Sequence, residues 1–435
     1  MNLAEVRLWG RTIGAVSQES GAGHATFQYQ PDFAGSGIQI APLTMPLTRH
    51  PFVFPQLSRR SFHGLPGLLS DSLPDYFGNA LIDAWLARQG RNPGDFSPIE
   101  RLCYVGTRGT GALEFRPSTG PRPARNRRIQ VEALVDLASR ILGQREGLRV
   151  SVVSGEEEDA LTDLLRVGTS AGGARAKALV AWNPETDEVR SGQIETDKGF
   201  EYWILKFDGV EGSHGTELGN PRGYGAIEYA YSTMAREAGI TMADCRLFQE
   251  GGRRHFMTRR FDRTADGTKL HMLSLGAISH LDFHAAGAHG YEQALLTIRR
   301  LGLPMEAVEE QFRRMVFNVL ARNQDDHVKN IAFLMDKQGR WSLSPAFDVI
   351  YAFNPSGDWT ASHQMTVNGK RDGFSQADFE AVARGSFMKR GRAAAIHEEV
   401  HAAVSRWMDF AMSAGVDQHR AETIQAVLRL DLPQG

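Results

Sequence analysis

Carboxylates and amides crowd one short stretch of this chain, Arg322-Asn323-Gln324-Asp325-Asp326-His327-Val328-Lys329-Asn330, and Asp348 follows in Leu343-Ser344-Pro345-Ala346-Phe347-Asp348. Asp325 and Asn330 keep the D-x-x-x-x-N spacing by which protein kinases place a proton-accepting Asp and a metal-binding Asn, a second metal-binding Asp coming from a nearby strand. The chemistry open to such a set is phosphoryl transfer. One carboxylate accepts the proton of an attacking hydroxyl, while an amide oxygen and a second carboxylate hold magnesium, which prefers hard oxygen donors. The same residue types also cap and turn ordinary polar loops, so the spacing takes its meaning from the elements around it.

Those elements are in the required order. Met305–Leu320 carries Val308, Phe312, Met315, Val316, Val319 and Leu320 at helical spacing, and 331–335 reads as a short buried strand. A turn over 336–339 and a strand ending near Asp348 complete a helix, polar loop, strand, turn, strand series. Upstream, Gly168-Thr169-Ser170-Ala171-Gly172-Gly173-Ala174-Arg175-Ala176-Lys177 precedes a strand over 178–182. Its glycines let backbone N–H groups approach an anion, and Arg175 or Lys177 can add charge, although no Walker-type G-x-x-x-x-G-K-[ST] is present. In the strand over 201–207, alternation puts Lys206 on one face with Tyr202 and Ile204. A lysine among such neighbours needs an anionic partner, and Glu228, on a helix over 226–237, is a candidate. The chain has eight lysines, and Lys177, Lys206 and Lys329 all fall in these segments.

The expected organisation is α+β: a bilobal, protein-kinase-like fold with a β-rich N-terminal subdomain and a mostly helical C-terminal lobe. Residues 1–116 alternate β-type segments (5–9, 13–16, 25–29, 38–41, 102–105, 112–115) with one helix capped by Ser72 and closed by Gly90. Residues 117–130 read as a Pro-, Gly- and Arg-rich linker. Residues 131–262 would form the smaller kinase lobe, with helices over 131–141 and 156–165. Residues 263–435 would form the helical lobe, ending in an amphipathic helix over 392–414.

At these motifs the chain resembles the HipA family, the serine/threonine-kinase toxins of bacterial type II toxin–antitoxin systems. The resemblance runs from Leu69-Ser70-Asp71-Ser72-Leu73-Pro74-Asp75 and Val105-Gly106-Thr107-Arg108-Gly109-Thr110-Gly111-Ala112-Leu113 through the Gly-rich loop, the lysine strand and Arg260-Phe261-Asp262-Arg263 to the Asp325 and Asp348 loops. It implies a catalytic base at Asp325 and magnesium ligands at Asn330 and Asp348. It implies ATP-binding roles for Gly172, Gly173, Ala174, Lys177, Lys206, Phe261, Asp262, His327 and Lys329. It also implies autophosphorylation at Ser170, with Thr169 the neighbouring alternative; a phosphate of about −1.5 to −2 charge there would repel the phosphates of ATP. The chain departs from the family pattern at Arg175 and Ala176 in the loop and at Arg259, where an acidic hinge residue is familiar. The implied cofactors are ATP and Mg2+. The implied partners are a helix-turn-helix antitoxin, DNA only through or beside it, and a protein substrate, by analogy an aminoacyl-tRNA synthetase.

Bulk properties bound the alternatives. A formal net charge of −2 over 435 residues places no overall electrostatic demand for nucleic acid or membrane. The basic run between Arg122 and Arg128 is the one local patch worth testing against DNA. Met1-Asn2-Leu3-Ala4-Glu5-Val6-Arg7 opens no signal-like segment, and no apolar run approaches membrane-spanning length, so a cytoplasmic location is expected. Two distant cysteines, Cys103 and Cys245, support neither a disulfide framework nor a zinc site. A non-catalytic nucleotide-binding or DNA-corepressor subunit, and a small-molecule or lipid kinase, are the competing readings.

Overall fold

The computed structural model describes residues 2–19, 21–121, 129–143, 163–165, 167–168, 175–193, 198–210 and 218–434. Thr169, Ser170, Gly172, Gly173 and Ala174, most of the expected 156–165 helix and the basic run 122–128 lie outside them.

Among the described residues, three antiparallel sheets organise the chain. Strands β1 (Leu3–Leu8), β2 (Arg11–Ser17), β3 (Thr26–Tyr29) and β4 (Leu113–Arg116) form the first, in the order β3-β2-β1-β4. Strands β5 (Lys177–Asn183), β6 (Glu188–Ser191), β7 (Glu201–Lys206), β8 (Cys245–Glu250) and β9 (Arg253–Arg259) form the second, in the order β6-β5-β7-β9-β8. Strands β10 (His271–Ser274), β11 (Ala332–Met335) and β12 (Trp341–Leu343) form a small third sheet. Helices Tyr291–Arg300, Met305–Leu320, Gln376–Gly385 and Arg392–Val404 build the helical lobe. The fold is a kinase-like, bilobal α+β arrangement.

Two cores divide the N-terminal third between the lobes. One merges the β1–β4 sheet (Val6, Leu8, Val16, Phe115) with helical-lobe residues such as Phe312, Phe317 and Trp407. The other packs Phe77, Leu81 and Leu86 of the Tyr76–Arg88 helix against Ala178, Val180, Trp203 and Leu205 of the five-stranded sheet. The N-terminal region is thus structural mortar for both lobes.

Local chemistry explains where the sequence expectations miss. Residues 38–41 form no strand; the Gln39 and Ile40 carbonyls instead accept from Trp341 Nε1 at 3.2 Å and pair with His271 Nε2 at 2.8 Å, so side chains of β12 and β10 take the place of a ladder. Residues 102–105 end a helix, Pro98–Val105, which starts with a reciprocal capping box between Ser97 and Glu100. The Tyr76–Arg88 helix is capped by Asp75, three residues after Ser72. The 392–414 segment is two helices, Arg392–Val404 and Trp407–Ser413. The break lets fully buried Trp407 enter the core and donate from its indole to the Ala421 carbonyl at 2.9 Å. No helix among the described residues is long and apolar enough to cross a membrane.

Candidate active site

Between the five-stranded sheet and the helical lobe, charge gathers that neither side tolerates alone. Lys177 and Lys206 stand directly opposite each other in β5 and β7, where like charges destabilise a sheet. Both are buried, 3% and 9% exposed, so anionic partners are obligatory. Lys206 Nζ donates to Glu228 Oε1 at 2.5 Å and to Asp348 Oδ1. Burial alone would lower the Lys206 pKa, but Asp348 and Glu228 outweigh it and hold the ammonium above the usual lysine range. At Lys177 burial dominates and lowers the pKa, opposed by Asp348 and Asp75. Burial would raise Asp348, yet Lys206 and Lys177 keep its carboxyl well below the ordinary range.

Glu228 reaches this cluster because its helix, Tyr224–Glu237, lies hard against β9. The contact is made at Gly225, where an added Cβ would run into the Arg254 carbonyl. Gly225→Ala should therefore push the helix off the sheet and cost about 1–3 kcal/mol, read as a lower denaturation midpoint; an unchanged midpoint would show that the helix can slide freely. The Arg175 guanidinium sits over the Tyr224 ring at 4.3 Å, with Nη1 3.9 Å from Glu228 Oε2.

Asp325 and Asp348 come from two loops that are tied into one unit. Arg322 at φ 56° turns the chain out of the Met305–Leu320 helix, and Asp348 at φ 52° turns it after β12; Asp is among the residues that tolerate this left-handed region. Gln324 N donates to the Ala352 carbonyl and Ala352 N to the Arg322 carbonyl, both at 3.0 Å, which fixes the first loop beside the second. Asp325 keeps 39% of its side chain exposed, and partial desolvation nonetheless raises its pKa. Its Oδ1 accepts from Trp359 Nε1 at 2.6 Å. His327 Nδ1 accepts from Lys329 N at 3.2 Å, so the imidazole proton is on Nε2, which points at Asp325 Oδ1 from 3.7 Å. Asn330 Nδ2 donates to the Asp325 carbonyl at 2.7 Å, which makes its oxygen the end available to a cation.

For a magnesium ion the donors fit. Asn330 and Asp348 offer hard oxygens in the small number that magnesium takes when phosphates and water complete its shell. Among the described residues no group of three or more His, Cys, Asp or Glu could hold a metal ion.

The other expected site residues are placed as follows. Lys329 Nζ lies over the Phe283 ring at 4.9 Å, and Phe283 also neighbours His327. Phe261 packs on Phe347, next to Asp348, at 5.5 Å between ring centres. Asp262 is 4% exposed, and its carboxylate accepts from Arg260 at 2.7 and 2.9 Å, from Arg263 at 2.7 Å and from the Gly111 amide at 2.7 Å. That carboxylate joins the 109–111 turn to residues 260–263. Lys177, Lys206, Asp348, Asp325, His327, Lys329 and Asn330 do converge.

Two carboxylates beside the site escaped the sequence reading. Asp326 is buried and accepts from Tyr291 Oη at 2.8 Å, His363 Nδ1 at 2.8 Å and Gln364 N at 2.7 Å. Burial would raise its pKa; His363 and these donors hold it low, making it the anchor beneath Asp325. Asp75 caps its helix by accepting from Gly78 N at 2.6 Å. Burial pushes its pKa up to about 7, against the pull of Lys177, the Gly78 amide and Lys329. Because the folded state holds this proton more tightly than the unfolded chain, stability falls as pH rises from about 4 to 7. Asp75→Asn keeps the cap and removes the charge, so its melting temperature should match wild type near pH 4 and exceed it by roughly 2 °C or more at pH 8. A constant difference between the two pH values would refute the assignment.

The HipA-like C-terminal domain matches residues 169–408, more than half of the chain, and the HipA N-terminal domain matches residues 4–116. A solved structure of HipA from the Shewanella oneidensis MR-1 toxin–antitoxin system, in complex with HipB and operator DNA, is similar at 16% identity and a TM-score of 0.67, with 97% of this chain and 96% of that chain covered. A proinflammatory kinase from Helicobacter pylori, CtkA, matches at 12% identity and a TM-score of 0.30, covering 52% of this chain and 92% of its own. The two domain matches, in chain order and with the kinase-like fold, place this chain in the HipA family.

Proposed function

We propose that this protein is an ATP- and magnesium-dependent serine/threonine protein kinase and acts as the toxin of a toxin–antitoxin pair. The observation that carries the reading is the meeting of Lys177, Lys206 and Asp348 in one buried cluster with Asp325 and Asn330 on the adjoining loop. ATP with magnesium supplies the transferable phosphoryl group. Lys206 and Lys177 are the groups to neutralise its phosphates; Asn330 and Asp348 are the groups to hold the cation. Asp325 takes the acceptor's proton. Catalysis of this kind rests on positioning and charge neutralisation, and the ties between the two loops supply the positioning.

The family resemblance extends the proposal to autophosphorylation at Ser170, to a protein acceptor of the aminoacyl-tRNA synthetase type, to a cytoplasmic location and to a helix-turn-helix antitoxin that carries the contact with DNA. Incubation with ATP and magnesium, followed by mass spectrometry, tests the core of it. Phosphate on Ser170 or on a supplied protein acceptor, absent when EDTA is added, is the expected result. Nucleotide binding with no transfer to any hydroxyl would instead favour the non-catalytic corepressor reading.

A further inference from the structure

Three consecutive residues of the 322–330 loop are each bonded to one short segment, 359–364, that carries none of the motifs above. Gln324 Nε2 donates to the Thr360 carbonyl at 3.1 Å, Asp325 Oδ1 accepts from Trp359 Nε1 at 2.6 Å, and Asp326 Oδ1 accepts from Gln364 N at 2.7 Å. Gln364 Nε2 closes the staple by donating to the Trp359 carbonyl. Gln324 and Gln364 are buried, at 0% and 3% exposure, and Asp326 is 3% exposed, so the outer rungs are rigid. The middle rung is the half-buried one, between an indole and the proposed catalytic base.

We infer that Trp359 is a positioning residue for phosphoryl transfer: its indole N–H holds Oδ1 of Asp325 so that Oδ2 alone is presented to the acceptor hydroxyl. An indole donates and never accepts, so it cannot compete with the base for the proton. By occupying Oδ1 it removes the rotational freedom of the carboxylate. His327 Nε2, 3.7 Å from the same Oδ1, adds to the asymmetry. In the step served, the acceptor oxygen forms a bond to the terminal phosphorus as the bridging P–O bond of ATP breaks. The hydroxyl proton passes to Oδ2, and ADP leaves with the electron pair. The base works only within hydrogen-bond reach of that proton, so a carboxylate free to rotate loses rate without losing nucleotide.

This inference rests on the proposed kinase reading, and one experiment separates the two. Phosphorylation kinetics are compared for wild type, Trp359→Phe, which keeps a ring without the N–H, and Trp359→His, which restores a ring donor. The expected result is a kcat lowered roughly ten- to hundredfold in Trp359→Phe, partial recovery in Trp359→His, and KM for ATP and melting temperature within error of wild type. Equal loss in the two variants, or loss that tracks ATP affinity or melting temperature, would show that the side chain only fills space. Wild-type kcat in Trp359→Phe would overturn the inference and leave the kinase reading intact, whereas no transfer by wild type itself would remove the reading on which it stands.

Discussion

Asp325→Asn is expected to lower the rate of phosphoryl transfer by roughly 10²- to 10⁴-fold, the contribution usual for a positioned general base, with ATP affinity and melting temperature almost unchanged. The substitution is nearly isosteric, and the Asn side-chain oxygen can still accept from the Trp359 indole and face His327 Nε2. The loop keeps its shape, because its fixed points are the Gln324 and Ala352 amides and the Asp326 network, none of which involves the Asp325 carboxylate. The groups proposed to neutralise the phosphates, Lys177 and Lys206, and those proposed to hold the cation, Asn330 and Asp348, are untouched. A fall in kcat with constant KM for ATP marks an interaction made only in the transition state. If the variant instead lost ATP binding, Asp325 would belong to the cation site; if it kept wild-type kcat, another group would be the base.

How far the sequence carries depends on the range of the interactions. The helix Met305–Leu320, the strand at β11 and the strand lysine Lys206 each declare themselves within a short window, because apolar periodicity and alternation are local. Glu228 was legible as a partner of Lys206 once the helix was assigned, and the 2.5 Å contact bears it out. Asp75 and Trp359 were not legible. Both lie in polar segments without periodicity, and only the tertiary fold brings one to Lys177 and the other to Asp325. A separate class of miss was readable in principle. Ser97-Pro98-Ile99-Glu100 is a helix-start signature, and the β-branched and aromatic residues at 102–105 masked it. Asp262, an ATP contact by family resemblance, accepts in the structure from two arginines and the Gly111 amide, partners that no local pattern announces.

Lys206→Met should damage stability and catalysis together, and a second substitution should separate them. The ammonium is the cation between Glu228, 2% exposed, and the Asp348 carboxylate. Removing one member of a buried ion pair strands the other in a medium that solvates it poorly, at a typical cost of about 3–5 kcal/mol. Arg175, with Nη1 3.9 Å from Glu228 Oε2, softens that cost without replacing the close 2.5 Å contact. Adding Glu228→Gln removes the stranded charge, so the double variant should regain most of the lost stability in a denaturant titration. Activity should not return with it, because Met at 206 offers no charge to a phosphate, and the lysine opposite it in the strand pair, Lys177, has its pKa lowered by burial. Recovery of transfer in the double variant would make Lys206 purely a structural counter-ion. A single variant as stable as wild type would mean that the Glu228 carboxylate is neutralised by something other than the lysine.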